Sequence, residues 1–406
     1  MSAKTIQEVK MAGPLEGIRV LAATQALFGP FATMLMSDLG AEVIKVERPV
    51  VGDMARGNGP FVKGVSTYFA SINRGKKSVV LDLTKEQGRE IFLKLAEKSD
   101  VLVENFLPGT MRKLGLDYET VKQHNPKIIY AEGSGFGQHG PYAQKPAFDL
   151  IVQAMGGVMS ITGEPDGSPV RPGVSYGDIA AALFLCIATL AALHARDVSG
   201  QGQLIDVAML DCQVAVLENA FVRYLNTGEI PRALGTRHPV VTPFQVFATE
   251  DGYIAISIMG RKWPLFCAAI DRIDIMDDPK FETGWLRTQN YQALEPILAG
   301  AIKARTTGEW ITELENAGIP CGPVNTIDQV AADPQVAARD MFIELHHPKA
   351  GDLKAVNTPF KFSETPCRVT PTIPDLGEHT EEVLGHLLGM TRADIEKLRK
   401  DGVINS

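Results

Sequence analysis

The segment Gly173–Asp178 places an acidic side chain directly before a long apolar stretch. An aspartate in this position typically caps a helix, because its carboxylate accepts hydrogen bonds from the first-turn N–H groups. The dipole of the following helix also stabilises the carboxylate as an anion. We therefore interpret Asp178 as a candidate helix cap whose charge is also available for chemistry.

A basic segment, Arg74–Lys77, could contact a phosphate-bearing ligand or form a solvated turn. The formal net charge of the whole chain is −8, which argues against a nucleic-acid-binding protein. It does not argue against a phosphate-bearing cofactor, because the local charge around a site matters more than the total.

The five cysteines are odd in number and widely spaced, without a CxxC pair, so they predict neither a disulfide framework nor a zinc site. Residues 1–13 contain no apolar core of the kind found in signal peptides. The apolar stretch 179–193 is about 15 residues long, which is short for a membrane span. We expect a cytoplasmic protein without metal or membrane contact.

The first half of the chain alternates between short apolar runs and amphipathic segments. Strands are predicted at 18–22, 42–47, 78–83, 101–103 and 128–131, and helices at 31–39, 85–98, 117–124, 179–195 and 206–226. This alternation predicts an α/β fold with an open, mostly parallel, Rossmann-like sheet, whose ligands bind at the carboxyl ends of the strands.

After Gly228 the pattern changes to a hairpin, 246–257, followed by helical segments and a last helix near 380–388. We predict a large domain over 1–227, a small α+β domain over 228–330, and a linker with a return to the large domain over 331–406. The loop after the first strand has one glycine where a dinucleotide fingerprint has three, which argues against nicotinamide or flavin binding.

Several segments spread along nearly the whole chain resemble the class III CoA-transferases, the formyl-CoA and carnitine (CaiB/BaiF) type. They are Gly40–Glu47, Val103–Phe106, Pro141–Ala143, Ala147–Gly157, Thr162-Gly163, Asp166-Gly167, Gly177-Asp178, Gly200–Gln203, Gly318–Pro323 and Leu376–Thr380. The resemblance implies that Asp178 is a nucleophile. It would form mixed anhydrides and an aspartyl-CoA thioester while CoA moves from an acyl-CoA to a free acid.

The resemblance also implies roles for other residues. Gly177 and Asp149 correspond to positions near the reacting centre, although Asp149 could equally make a structural hydrogen bond. Positions that line the CoA nucleotide and pantetheine are matched by Arg48, Leu81, Asn105, Phe106, Arg112 and Lys113. Leu81 and Phe106 could also be plain core residues, and either Arg112 or Lys113 could be the phosphate contact.

The sequence departs from the formyl-CoA transferases in two places. Those enzymes carry a glutamine near the first Gly-Pro, where this chain has Leu27-Phe28 and a displaced Gln25. Their run of four glycines before the small-domain tryptophan is replaced here by Ile258–Lys262. Both departures argue against specificity for formate or oxalate.

Three alternatives stay open. The 2-methylacyl-CoA racemases resemble these enzymes but need a histidine where this chain has Phe148, and a phenyl ring cannot transfer protons. His139 is nearby in a glycine-rich loop. The chain could also be one subunit of a hetero-oligomeric transferase, or a non-catalytic CoA-binding protein.

The acceptor acid is not defined by the sequence. Candidate partners for a second carboxylate, which would indicate a dicarboxylic acid, are Arg171, Arg237, His238 and Arg261. We expect succinyl-CoA as the donor. The resemblance further implies an interlocked homodimer, or assembly with a related subunit.

Overall fold

The computed structural model describes residues 13–405, which divide into two compact units. The first unit comprises 13–157, 172–221 and 337–405, and the second comprises 158–171 and 222–336. The return of the chain to the first unit after residue 336 lies close to the predicted start of the third segment. The structure differs from the prediction in placing 158–171 in the second unit, where the Gly235 N–H donates to the carbonyl of Gly163 at 2.8 Å.

The elements follow one another in this order. Up to residue 157 they are β1 (Arg19–Ala23), α1 (Phe28–Asp38), β2 (Glu42–Glu47), β3 (Phe61–Val62), β4 (Val65–Ser66), α2 (Thr67–Asn73), β5 (Lys77–Val80), α3 (Glu86–Glu97), β6 (Val101–Glu104), α4 (Thr110–Lys113), α5 (Tyr118–His124), β7 (Ile129–Ser134) and α6 (Asp149–Met155). Then come α7 (Tyr176–Ser199), β8 (Gln203–Ala208), α8 (Met209–Val216), α9 (Glu218–Thr227), β9 (Phe244–Ala248), β10 (Tyr253–Ser257), α10 (Trp263–Ala269), α11 (Gly284–Gln289), α12 (Tyr291–Ile302) and α13 (Thr307–Asn316). The chain continues with β11 (Cys321–Pro323), α14 (Ile327–Ala331), α15 (Pro334–Ala338), β12 (Phe342–His347), β13 (Gly351–Val356), α16 (Thr380–Leu388) and α17 (Arg392–Lys400).

The first unit is built on a six-stranded parallel sheet in the order β5-β2-β1-β6-β7-β8. Successive residues of β1 enter different cores: Val20 and Ala22 belong to one apolar cluster, and Leu21 and Ala23 to another. Both faces of the sheet are therefore buried, as expected for a parallel sheet with helices on both sides. This confirms the predicted α/β architecture.

The order of the strands reverses at β1, because β2 lies on one side of it and β6 on the other. Connections on the two sides of such a point leave in opposite directions, which opens a crevice at the carboxyl ends of the strands. The loops after β1, β2 and β6 all begin at this edge. They carry many of the residues that the sequence analysis selected.

The second unit contains the predicted hairpin, in which β9 and β10 pair antiparallel and β11 adds a third strand. Its core is separate from those of the first unit and includes Phe247, Ile254, Trp263 and Trp310.

One prediction about secondary structure is wrong, and another is confirmed with wider bounds. The segment predicted as one helix over 206–226 begins as strand β8, which pairs with β7, and continues as the two helices α8 and α9. The helix predicted over 179–195 is α7, which has 24 residues. By length and composition α7 could cross a membrane, a test that core helices of soluble proteins also pass.

The basic segment 74–77 is not the exposed patch that the sequence suggested. Arg74 and Lys76 are each 2% exposed. Arg74 pairs with Asp38, and the Lys76 ammonium donates to the carbonyls of Pro30 and Ile72 at 2.8 and 2.9 Å. Both side chains have their partners in the interior of the first unit and are not accessible to a phosphate.

Candidate active site

A large cavity of about 750 Å³ opens at the carboxyl edge of the sheet, over β1, β2 and β5. Its wall includes four of the residues predicted to contact CoA: Arg48, Leu81, Phe106 and Lys113. Arg48 directly follows β2 and is exposed, whereas Leu81 is 1% exposed and also belongs to the core. The volume lies in the range of sites that bind nucleotide-sized ligands.

A second cavity of about 280 Å³ contains Asp178. It lies over the ends of β6 and β7 and includes Asn105, Phe106 and Phe148 in its wall. Gln25 and Phe106 line both cavities, so the two adjoin at these side chains. Asp178 does not line the larger cavity. We therefore consider the smaller cavity, which contains this carboxylate, as the candidate place for chemistry.

Asp178 is the third residue of α7 and not its cap, which corrects the simplest interpretation of the sequence. Ser175 precedes the helix and makes no side-chain cap. A carboxylate in the first turn is still favoured as an anion by the helix dipole. Burial raises the pKa of the Tyr68 phenol, and the negative charge of the nearby Asp178 raises it further.

Asp149 contacts the residue that precedes Asp178. It begins α6 and is 9% exposed, and its Oδ1 accepts the backbone N–H of Gly177 at 2.9 Å. The Gln153 amide donates to both Asp149 oxygens, at 2.8 and 2.7 Å. The side chain of Asp149 thereby fixes the backbone next to Asp178, which agrees with the structural role that the sequence left open.

Gly177 permits the close approach of α6 and α7. A Cβ atom at this position would lie 2.6 Å from Val152 Cγ2 and 3.1 Å from Asp149 Oδ1. Real Cβ atoms do not come so close to their neighbours, so a larger residue would push the two helices apart. The glycine before Asp178 is therefore required by packing.

Asn105 orders the loop that follows β1. Its side-chain oxygen accepts the Gln25 N–H at 2.8 Å, and its amide donates to the Gln25 carbonyl at 3.0 Å. Asn105 thus fixes the part of the wall that both cavities share. Its backbone neighbour Phe106 contributes the other shared wall residue.

Lys113 and Arg112 point to different cavities, although they are adjacent in α4. Lys113 lines the large cavity, whereas Arg112 lines a third cavity of about 280 Å³ and pairs with Asp117 at 3.3 Å. Lys113 is therefore the one of the two that lines the large cavity, and its contact with a phosphate stays a prediction.

The third cavity is acidic. Burial raises the pKa of Glu104 to about 8, the Phe106 N–H lowers it in part, and the charges of Glu132 and Asp206 raise it. Burial and then the charge of Asp206 raise the pKa of Glu132 to about 7. Glu104 ends β6 and is the register partner of Glu132 in β7, which explains why they share one electrostatic environment.

The sequence analysis missed Lys145. Among the described residues that line the Asp178 cavity, it is the one cation, and its ammonium lies 3.9 Å from the centroid of the Tyr142 ring. Lys145 lies in a loop just before Pro146, outside any helical or strand pattern, so the local sequence does not indicate that it lines a cavity.

The arginines and histidine proposed as acceptor contacts are placed elsewhere in the chain. Arg171, Arg237, His238 and Arg261 all belong to the second unit. Arg237 stacks on Tyr291 at 4.0 Å, and His238 packs on Phe244 at 5.2 Å between ring centroids. Their contact with an acceptor acid stays a prediction. His139 is exposed in its loop, and Phe148 lies in the cavity wall where a racemase needs a base.

The family model of CoA-transferase family III matches residues 15–380. The chain is 40% identical to the succinyl-CoA:glutarate CoA-transferase of Mus musculus, over 96% of this chain and 90% of that protein. It is 38% identical to the succinyl-CoA:mesaconate CoA-transferase of Haloarcula hispanica, over 92% of this chain and 96% of that protein. The crystal structure of a CAIB/BAIF family protein from Brucella suis superimposes with a TM-score of 0.82 at 37% identity, covering 93% of this chain and 100% of that one.

Proposed function

The chain belongs to CoA-transferase family III, and we propose that it moves CoA from succinyl-CoA to a second small dicarboxylic acid through covalent intermediates on Asp178. The observation that carries this proposal is the position of Asp178, in a small cavity that adjoins the large one at Gln25 and Phe106. A thioester that extends from the large cavity past these two side chains would bring its carbonyl carbon to the carboxylate.

The chemistry needs no general base. An Asp178 oxygen attacks the thioester carbonyl, and CoA leaves as its thiolate, which gives a mixed anhydride. The thiolate then attacks the aspartyl carbonyl of this anhydride, so the donor leaves as a free carboxylate and an aspartyl-CoA thioester remains. The acceptor carboxylate displaces the thiolate in turn. The thiolate finally attacks the acceptor side of the second anhydride and regenerates Asp178.

The protein must stabilise the oxyanion of each tetrahedral intermediate. Helix α1 begins at the wall of the Asp178 cavity with Phe28, and Leu27 before it makes no side-chain cap. The first N–H groups of a helix have no partner within the helix. We infer that these N–H groups at the start of α1 are the oxyanion donors, because such donors stabilise developing negative charge strongly in a site that excludes water.

The acceptor class is inferred from charge. Lys145 brings a cation into the cavity that holds Asp178. A dicarboxylic acid can place one carboxylate at the reacting centre and the other near this ammonium. The names of the relatives support the same class, since succinyl-CoA, glutarate and mesaconate are all derived from dicarboxylic acids.

We expect the functional form to be a homodimer. Although α7 packs on α1, α6 and α8, it leaves Leu183, Phe184 and Ile187 exposed by 43%, 37% and 61%. These residues follow helical spacing and form one apolar stripe, which a second copy of the chain would cover. Sedimentation of wild type and Ile187→Glu tests this: the wild type should be a dimer and the variant a monomer, and a monomeric wild type would contradict it.

Covalent trapping tests the mechanism. Wild-type protein is incubated with succinyl-CoA and hydroxylamine and then digested for mass spectrometry. We expect a hydroxamate on Asp178, because hydroxylamine intercepts both the anhydride and the thioester, and no such product in Asp178→Asn. A protein that exchanges CoA while Asp178 stays unmodified would refute the covalent path.

The acceptor class is tested with matched acids. Glutarate and pentanoate have the same number of carbon atoms and differ in the second carboxylate. We expect glutarate to be the better acceptor, and Lys145→Met to reduce the preference. Equal rates with both acids would contradict a dicarboxylate site.

A further inference from the structure

A completely buried ion pair lies under the loop that follows β1. It joins Lys45, in the middle of β2, to Asp53, with 2.7 Å between Lys45 Nζ and Asp53 Oδ2. Both side chains have no exposed surface. A buried ion pair is a poor source of stability, since well-packed apolar residues often stabilise as well or better. The hydrogen bonds that Lys45 and Asp53 make to the backbone therefore indicate that the pair positions the loop above it.

These contacts hold the two ends of the loop 24–26. Lys45 Nζ donates to the carbonyl of Thr24 at 2.8 Å. Asp53 Oδ1 accepts the N–H of Ala26 at 2.9 Å and also the N–H of Ala55 at 2.9 Å. The pair thus fixes the loop from below, while Asn105 fixes Gln25 from the side.

Ala26 adopts a backbone conformation that needs such support. Its φ is +62°, in the left-handed region that residues with a Cβ atom rarely enter. A strained conformation persists only where the surroundings determine it. Here the hydrogen bond from Ala26 to Asp53 is the contact that does so.

The position of the loop connects this support with the chemistry. Thr24 and Gln25 line the large cavity, Gln25 and Ala26 line the Asp178 cavity, and α1 begins two residues later at Phe28. We propose that Lys45 and Asp53 are positioning residues for CoA transfer, which hold Ala26 so that the start of α1 faces the reacting carbonyl. This inference rests on the proposed function.

Two uncharged double variants separate geometry from charge. Lys45→Met with Asp53→Leu removes the pair and the acceptor for the Ala26 N–H. Lys45→Met with Asp53→Asn also removes both charges but keeps a side-chain oxygen for that N–H. The measured quantities are kcat, the KM for succinyl-CoA, and the rate at which hydroxylamine traps Asp178 in protein that circular dichroism shows to be folded.

We expect the leucine variant to lose about 100-fold in kcat and in trapping rate, with a smaller change in KM, because a shift of about 1 Å in catalytic geometry has an effect of this size. The asparagine variant should recover most of the loss. A variant that folds less well but has no positioning defect would show the wild-type trapping rate per folded molecule.

The matched control is another buried pair of the first unit, Arg74 and Asp38, with side chains 2% exposed and 2.6 Å between Arg74 Nη2 and Asp38 Oδ2. Neither residue lines the cavities that contain Gln25. Arg74→Met with Asp38→Asn should leave kcat within about twofold of wild type, because the reacting geometry is unchanged.

The inference would be overturned if hydroxylamine trapped Asp178 in the leucine variant at the wild-type rate, or if the control lost as much kcat as the leucine variant. Should the leucine variant not fold, Ala26→Pro removes the same N–H and also forces the loop out of its left-handed conformation, because proline holds φ at about −65°. A wild-type trapping rate in that variant would equally overturn the inference. Absence of trapping in the wild type is a different outcome, since it refutes the covalent path.

Discussion

Replacing Glu104 with glutamine should make the protein more stable at neutral pH. Glu104 ends β6, is 3% exposed, and accepts the N–H of Phe106 at 2.6 Å. Its pKa is raised from an ordinary 4.5 to about 8, first by burial and then by the charges of Glu132 and Asp206. Glutamine keeps the shape and the acceptor oxygen, and it is neutral in the folded and the unfolded chain alike.

The size of the effect follows from proton linkage. Above pH 4.5 the unfolded chain releases the proton of this carboxyl, whereas the folded chain keeps it up to about pH 8. Folding therefore takes up a proton in this range, and stability falls as the pH rises, by at most about 1.4 kcal/mol per pH unit. At pH 7 the free energy of unfolding of the wild type should therefore be lowered by roughly 3 kcal/mol, a loss that the glutamine variant does not have. At pH 5 the corresponding loss should be less than about 1 kcal/mol.

Urea unfolding at pH 5, 6 and 7 measures this difference. We expect the stability of Glu104→Gln relative to wild type to increase steadily with pH. The raised pKa of Glu132 affects both proteins and largely cancels in the comparison. Glu90→Gln, on the exposed side of α3, is the control and should show little change with pH. A stability difference for Glu104→Gln that is the same at pH 5 and pH 7 would refute the buried, protonated carboxyl.

Three further substitutions probe the site itself. Gly177→Ala should lower kcat/KM about 100-fold, because the added Cβ would lie 2.6 Å from Val152 Cγ2 and must displace α7; steady-state rates measure it. Lys113→Ala should raise the KM for succinyl-CoA about tenfold, because a charged hydrogen bond to the phosphate is lost. Arg112→Ala, at the adjacent position, should leave this KM unchanged, and equal effects of the two variants would contradict the proposed contact of Lys113 with the phosphate. Asp149→Asn should keep kcat within about threefold, because the oxygen of the asparagine can still accept the Gly177 N–H and the unpartnered oxygen of Gln153 can turn toward the new amide. Asp149→Ala removes this acceptor and should lower kcat about 100-fold. An equal loss in both Asp149 variants, by the same assay, would indicate that its charge takes part in the chemistry.

The parallel sheet could be predicted because its signals are local. The run 18–22 is apolar except for Arg19, and Gly40 ends the helix between the first two strands, so the βαβ unit is visible within 30 residues. The sequence does not reveal strand β8, whose last three residues fall in the predicted helix 206–226, because the strand lies at the edge of the sheet. Most of its residues are at least partly exposed there, and the apolar run is short. Its pairing with β7 involves residues more than 70 positions apart, which no local pattern reports.

The buried charges could not be predicted for the same physical reason. Arg74 and Lys76 look like a surface patch because charged residues usually are exposed, and Asp38, the partner of Arg74, is 36 positions away. Lys45 did carry a signal. It interrupts the apolar face of a strand that is otherwise typical of a buried one, and such an interruption indicates a partner in the interior.

Two glutamates at equivalent positions of the sheet show how these partners give the edge its electrostatic polarity. Glu47 ends β2 on one side of β1, and Glu104 ends β6 on the other. Burial alone would raise the pKa of Glu47, but hydrogen bonds from Arg56 and the charge of Lys45 lower it to about 2. Near Glu104 the neighbours are carboxylates, so its pKa rises to about 8.

This polarity has a consequence for the proposed substrate. On the β2 side Glu47 and Asp53 are paired with Arg56 and Lys45, and Arg48 and Lys113 also line the large cavity. On the β7–β8 side Asp117 and Glu119 line the third cavity, and the charge of the nearby Asp206 raises the pKa of both Glu104 and Glu132. The phosphates of CoA are anionic, so the first side attracts them and the second repels them. The charge pattern therefore supports the proposed binding of CoA over β2.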